Sequence, residues 1–131
     1  MNNRELLNIA LEALKNSYSP YSNYKVGAAL LLKNGKIVKG TNIENASYGL
    51  TNCAERSALF CAYSLGYRKD DILGIAIASL SNPPASPCGA CRQVISELMN
   101  DDAFVVYGNE TSLYETKVSE LLPSAFTKEC L

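Results

Sequence analysis

The sequence predicts an α/β fold in which a mixed five-stranded sheet is flanked by helices. Three observations carry that expectation. Apolar residues recur at helical spacing in separate stretches of the chain, Arg4 to Asn16, Asn52 to Leu65 and Cys88 to Met99. Between them lie short aliphatic runs bounded by turn residues, as strands are. The two kinds of segment follow one another as helix, hairpin, helix, strand, helix, strand, which is the order of a layered α/β domain.

Taken in order, Arg4 to Asn16 sets Leu6, Leu7, Ala10, Leu11 and Leu14 on one helical face. Ser17-Tyr18-Ser19-Pro20-Tyr21-Ser22 then breaks the helix with turn residues. Lys25 to Leu32 reads as a buried strand, Asn34-Gly35 as a hairpin turn and Ile37 to Ile43 as the return strand. Asn52 to Leu65 is the second helix, with Thr51 or Asn52 expected at its N-cap and Gly66 as its stop. Cys61 falls within it as an expected core residue. Ile72 to Ala78 is an apolar run suited to a strand covered on both faces. Ser81 to Pro87 carries Pro83, Pro84 and Pro87 and reads as a rigid loop. Cys88 to Met99 is the third helix, Ala103 to Tyr107 another buried strand and Leu113 to Thr116 a short edge strand. Val118 to Leu122 is a helical turn ended by Pro123. The strand-helix-strand connection after Ile72 should be parallel and right-handed.

Composition narrows the function. A chain of 131 residues is expected to form one domain, 1–131. At that size roughly two-thirds of the unfolded surface is buried, enough for a core without disulfide staples. The net charge is −1 and the basic residues are scattered, Arg68-Lys69 being the longest basic pair. A nucleic-acid binder would show a basic stripe, so nucleic acid is not an expected partner. The N-terminal residues lack the apolar stretch of a secretory signal, and the Val26–Leu32 run is far short of the ~20 residues that span a bilayer. The expectation is a cytoplasmic protein with no membrane partner. Five cysteines in a reducing compartment point to metal binding, catalysis or burial. There is no histidine, which removes Ser-His and Cys-His catalysis and leaves thiolates and carboxylates as the possible metal ligands.

The chemistry concentrates in two motifs, Cys53-Ala54-Glu55 and Pro87-Cys88-Gly89-Ala90-Cys91, each opening a predicted helix. Cys88 and Cys91 share a face of the first helical turn. Helix N-termini favour thiolate over thiol, and a thiolate-rich set selects zinc. If the two helix ends meet, Cys53, Cys88 and Cys91 supply three ligands and leave one position for water, the pattern of a catalytic zinc. Glu55 then stands beside the metal without ligating it, placed to carry protons. Arg56 and Arg92, each following a motif, are candidates to donate to the sulfurs and offset their charge. Two other readings compete. Cys88-Gly-Ala-Cys91 alone is also the pattern of a redox dithiol, which leaves Cys53-Ala-Glu55 unexplained. A structural zinc needs a fourth ligand; Cys61, about 12 Å along the helix from Cys53, is too far to be it, and Cys130 could reach but sits in a tail expected to fray.

Further segments carry a resemblance. Ser19-Pro20-Tyr21-Ser22, Val26-Gly27-Ala28-Ala29, Asn42-Ile43-Glu44-Asn45-Ala46, Cys53-Ala54-Glu55-Arg56, Pro87-Cys88-Gly89-Ala90-Cys91-Arg92-Gln93 and Leu122-Pro123-Ser124-Ala125-Phe126 together resemble the small homotetrameric cytidine deaminases. The resemblance runs from about Ser19 to Phe126. It implies the three-layer deaminase fold, one Zn2+ per subunit, and hydrolysis of free cytidine and deoxycytidine to uridine and deoxyuridine in pyrimidine salvage. Water activated by zinc would attack C4 while Glu55 moves the protons, a scheme general to the zinc deaminases. The backbone of Ala54 would read the base, Asn42 and Glu44 a sugar hydroxyl, and Tyr24 would pack near the ribose where phenylalanine is usual. Phe126 and Tyr48 would reach the active site of a neighbouring subunit in a homotetramer. A deaminase of a cytosine antibiotic of the blasticidin S type would share both cysteine motifs, and a non-catalytic zinc module would share the ligands. The intact Asn42-Ile43-Glu44-Asn45 segment and the Ala125-Phe126 ending favour ordinary nucleosides.

Overall fold

Helix α1 (Asn3–Ala13) starts where Asn2 closes a capping box. The Asn2 side chain accepts the Glu5 N–H at 2.8 Å, and the Glu5 carboxylate accepts the Asn2 N–H at 3.2 Å. The helix tightens into a 3-10 turn at Leu14–Asn16, so the predicted segment is present in two pieces. A computed structural model describes residues 1–131.

The five expected strands are all present: β1 (Val26–Leu32), β2 (Ile37–Thr41), β3 (Ile72–Ser79), β4 (Phe104–Gly108) and β5 (Leu113–Lys117). They form one sheet in the order β2-β1-β3-β4-β5. β1 is antiparallel to both β2 and β3, β3 is parallel to β4, and β4 is antiparallel to β5. The sheet is therefore mixed, and its central strand β3 is buried along nearly its whole length. The return strand ends at Thr41, short of the predicted Ile43. At Asn42 half of the ladder pair is kept: its N–H donates to Val26 O at 3.3 Å, but the Val26 N–H goes to the Asn42 side-chain oxygen at 2.9 Å.

Alternation along the strands sorts side chains into two cores. Leu6, Leu7, Ala10 and Leu14 pack with Ala29, Ala76, Ala78 and Val106 on one face. Ala28, Leu30, Ile75, Ile77 and Val105 face the other side, beneath helices α2 (Ala54–Ser64), α3 (Gly89–Leu98) and α4 (Val118–Leu121). The result is three layers, matching the expected α/β architecture. Gly40 of β2 lets α2 lie directly on the strand: a Cβ there would meet Ala58 N at 2.5 Å and Ala54 O at 2.6 Å.

Two local expectations are corrected. The N-cap of α2 is Cys53, not Thr51 or Asn52. Asn52 instead exchanges backbone hydrogen bonds with Ile43, both at 2.9 Å, which holds it one residue outside the helix. Cys61 is exposed and not in the core, because the inward stripe of α2 centres on Ala58, Leu59 and Ala62 and Cys61 lies about a quarter-turn off that centre, at its edge. Gly66 ends the helix as expected, with φ +101 and its N–H on the Tyr63 carbonyl. No helix is long and apolar enough to cross a membrane.

Candidate active site

Both cysteine motifs sit at helix starts, and the fold brings those starts together. Cys53 caps α2 with extended backbone and makes no capping hydrogen bond, which leaves its sulfur to face the other helix. Cys88 caps α3, and its sulfur accepts the Cys91 N–H at 3.4 Å. Cys91 is buried in the first turn. The three sulfurs lie within 4.8 Å of one another, with Cys53 and Cys88 at 3.9 Å.

That spacing identifies what the trio can hold. A disulfide would bring two sulfurs to about 2.05 Å. Tetrahedral zinc with bonds of about 2.3 Å sets its sulfurs roughly 3.8 Å apart, close to the distance observed. The group contains three ligand residues and no fourth, so a zinc held by Cys53, Cys88 and Cys91 keeps one position open.

The local charges fit a dication. The Cys53 thiol is pushed down to about 5, first by a hydrogen bond from the Cys91 thiol and then by the Arg56 guanidinium, against the effect of its burial. Cys91 is pushed up by the same bond to Cys53 and by burial. The Cys53 thiolate is thus favoured, and thiolate is the form in which sulfur binds a metal. Arg56 donates through Nη2 to the Cys53 sulfur at 3.3 Å.

Arg92 does not join it. Its Nε donates to Pro87 O at 2.8 Å, Nη1 to Leu121 O at 2.8 Å and Nη2 to Ser86 Oγ at 3.4 Å. One residue past Cys91 is about 100° around the helix, and that rotation turns Arg92 from the sulfurs to the loop that feeds α3. Its contacts fasten that loop to the end of α4. Sequence adjacency signals proximity but not direction, and the order Cys91-Arg92 carries no sign of this tethering.

Cys53 and Cys88 border a cavity of about 340 Å3, within the range of small-ligand sites. Cys53, Ala54, Glu55 and Cys88 line it at the helix ends, Ala85 and Ser86 from the loop before α3, and Ser22, Tyr24, Asn42 and Glu44 from the segments flanking β1 and β2. A larger groove of about 780 Å3 runs along α1 beside Glu12, Lys15 and Lys25, but it touches none of the motif residues.

Glu55 is 4% exposed. Burial pushes its carboxyl up from the ordinary carboxylate value, and the charge on Cys53 adds to the push. Asn42 and Glu44 both face the cavity yet already have protein partners. Asn42 accepts the Val26 N–H and a hydrogen bond from Ser17 Oγ, and it donates to Tyr24 O at 2.7 Å. Glu44 accepts the Tyr21 and Ser22 N–H groups at 3.0 and 3.1 Å and the Ser22 hydroxyl. The Ser22 hydroxyl, followed by those N–H groups, holds its carboxyl below the usual range. Ser22 belongs to the Ser19–Ser22 motif, but its grip on Glu44 was not legible from spacing. Phe126 and Tyr48 are 60% and 70% exposed and line no part of the cavity within one subunit.

A buried carboxyl beside an incomplete thiolate shell, at the end of a small-molecule cavity, defines a hydrolase of the open-site zinc class. Residues 1–108 match the model of the cytidine and deoxycytidylate deaminase zinc-binding region. The chain is 53% identical over 130 residues to the cytidine deaminase of Halalkalibacterium halodurans, covering 98% of this chain and 97% of that one. It is 46% identical over 132 residues to the cytidine deaminase of Sporosarcina psychrophila, covering 100% and 96%. The crystal structure of cytidine deaminase from Burkholderia pseudomallei superposes with a TM-score of 0.93 at 47% identity, covering 96% of this chain and all of that one. The chain belongs to the cytidine deaminase family of zinc-dependent enzymes.

Proposed function

We propose that this chain, acting as one deaminase domain, hydrolyses the 4-amino group of free cytidine and deoxycytidine, releasing ammonia and the corresponding uridine. The observation that carries the reading is the buried Glu55 carboxyl lining the same cavity as Cys53 and Cys88. Zinc held by the three cysteines supplies the Lewis acidity that makes water nucleophilic at neutral pH.

The remaining work falls to the chain. The attacking water gives a proton to Glu55 as its oxygen bonds to C4 of the pyrimidine. Glu55 passes that proton to ring N3. Glu55 then takes the remaining proton from the new C4 hydroxyl and delivers it to the amino nitrogen; the C4–N bond breaks, ammonia departs and the C4 oxygen becomes the carbonyl of the product. Burial suits Glu55 to this duty: raising its carboxyl above the ordinary carboxylate value strengthens it as a base and brings it nearer the neutral range in which one group serves as base and then acid. Ala54 starts α2 at the cavity wall, where its backbone meets the polar edge of the base.

The Asn42 amide retains one N–H beyond its bond to Tyr24 O, and Glu44 retains acceptor capacity, so a sugar hydroxyl between them finds both a donor and an acceptor. The Glu44 charge repels a 3′-phosphate, which favours free nucleosides over polynucleotides. Phe126 and Tyr48, exposed on one subunit, complete a neighbour's cavity in a homotetramer. The reaction suits pyrimidine salvage in the cytoplasm.

The test is an ultraviolet assay of cytidine turnover with zinc measured on the same sample. Glu55→Gln is expected to keep the fold and stoichiometric zinc while losing at least about 100-fold in kcat. Ordinary turnover by that variant overturns the mechanism. Blasticidin S as a parallel substrate separates the nucleoside reading from an antibiotic one.

A further inference from the structure

Two walls of the cavity come from distant parts of the chain. One holds Ser22, Tyr24, Asn42 and Glu44, and the other is the loop after β3 that carries Ala85 and Ser86. A single side-chain hydrogen bond joins the segment around Tyr24 to that loop: Tyr24 Oη lies 2.7 Å from Ser81 Oγ, across 57 residues of sequence.

The direction of that bond follows from counting hydrogens. A serine hydroxyl has one. Ser81 donates its own to Pro83 O at 2.9 Å, so at Ser81 Oγ the Tyr24 hydroxyl is the donor. Ser79 Oγ accepts the Ala85 N–H at 3.0 Å and lies 3.2 Å from Ser81 Oγ, to which its own proton is left to go. Asn109 Nδ2 donates to Ser81 O at 2.8 Å. The network is directional: the Tyr24 hydroxyl and, through Ser79, the N–H of the cavity-lining Ala85 both feed Ser81, and it ends on the Pro83 carbonyl.

The other end of Tyr24 is equally fixed. Its N–H donates to Ser22 Oγ at 3.0 Å and its carbonyl accepts from Asn42 at 2.7 Å. Tyr24 is thus held at its backbone by one wall and at its hydroxyl by the other.

We propose that Tyr24 is a positioning residue, a latch whose hydroxyl fastens the sugar-side wall to the Ser81–Ser86 loop and so presets the width of the nucleoside cavity. This rests on the nucleoside reading above. The latch is made before substrate arrives, so without it the free enzyme relaxes and binding must draw the two walls together again. That ordering cost falls on the complex and the transition state alike, which moves KM and leaves kcat.

The test uses Tyr24→Phe, Ser81→Ala and the double variant in the zinc-loaded enzyme. Tyr24→Phe keeps the ring and removes only the hydroxyl. Its cytidine KM is expected to rise about threefold to tenfold, the worth of one neutral hydrogen bond, with kcat within about twofold. The double variant should lose less than the two single losses combined, since either change breaks the same bond. A second readout needs no turnover: the Ala85 amide, protected through Ser79 and Ser81, should exchange with solvent faster in Tyr24→Phe by a similar factor. Wild-type Ala85 exchange in Tyr24→Phe, or additive losses in the double variant, overturns the latch. If the wild type does not turn over cytidine, the nucleoside reading fails, and the exchange measurement still decides the latch.

Discussion

Arg56 and Arg92 each follow a cysteine motif, yet only Arg56 reaches a sulfur. Its guanidinium stabilises the Cys53 thiolate, and partners of this kind tune how tightly a metal is held. Arg56→Ala is expected to weaken zinc binding about 10- to 100-fold, measured by competition with a chromophoric chelator. An unchanged affinity would mean the contact is incidental. At this scale the sequence was legible where chemistry is carried by residue type. Three cysteines and a glutamate at those spacings, with no histidine to compete, restrict what the site can be. Direction was not legible. Nothing in the order Cys91-Arg92 tells that the arginine swings back to the Pro87 carbonyl, and nothing in Asn42-Ile43-Glu44 tells that Ser17, Tyr21 and Ser22 occupy part of the pair's hydrogen-bonding capacity.

Among the elements, α2 matters most because it delivers Cys53, Ala54 and Glu55 together. Its height above the sheet is set by Gly40, whose missing side chain lets the Ala54–Ala58 turn rest on β2. Gly40→Ala would press a methyl carbon against two helix backbone atoms that have no rotamer to escape by. The expected cost is about 1–3 kcal/mol, read by denaturant unfolding, with a fall in kcat because lifting the helix displaces Glu55. Stability equal to wild type would show that the helix shifts freely. Element identities were readable because periodicity and turn residues agree along the chain, as at the Asn34-Gly35 hairpin and the Gly66 stop. Boundaries were less so. Capping preference points to Thr51 or Asn52 as the start of α2, whereas Cys53 holds the position and makes no side-chain capping bond. The second strand stops early because the Asn42 side chain replaces a ladder bond.

For the molecule as a whole, the order β2-β1-β3-β4-β5 explains how residues far apart in the chain share one cavity. The parallel pairing of β3 with β4 requires a crossover, α3 provides it, and its start carries Cys88 to Cys53. No local pattern encodes that meeting, which is why the sequence shows the ligands but not their convergence. The proposed tetramer makes a prediction at this scale. Phe126→Ala and Glu55→Gln should each be nearly inactive alone. After joint unfolding and refolding, mixed assemblies should regain part of the activity, because some cavities then combine an intact Glu55 with a neighbour's Phe126. A mixture no more active than its components would place Phe126 in its own subunit's site or in none.

The 35-residue separation of Cys53 and Cys88 also bears on how the protein matures. During synthesis, Cys53 leaves the ribosome well before its two partners exist outside the exit tunnel. The nascent chain therefore offers only one of the three sulfurs, too few for a firm grip on an ion, until the third helix has emerged. Loading with zinc is in this way deferred until β1, β2 and β3 have been made, and a product truncated before Cys88 lacks two of the three ligands.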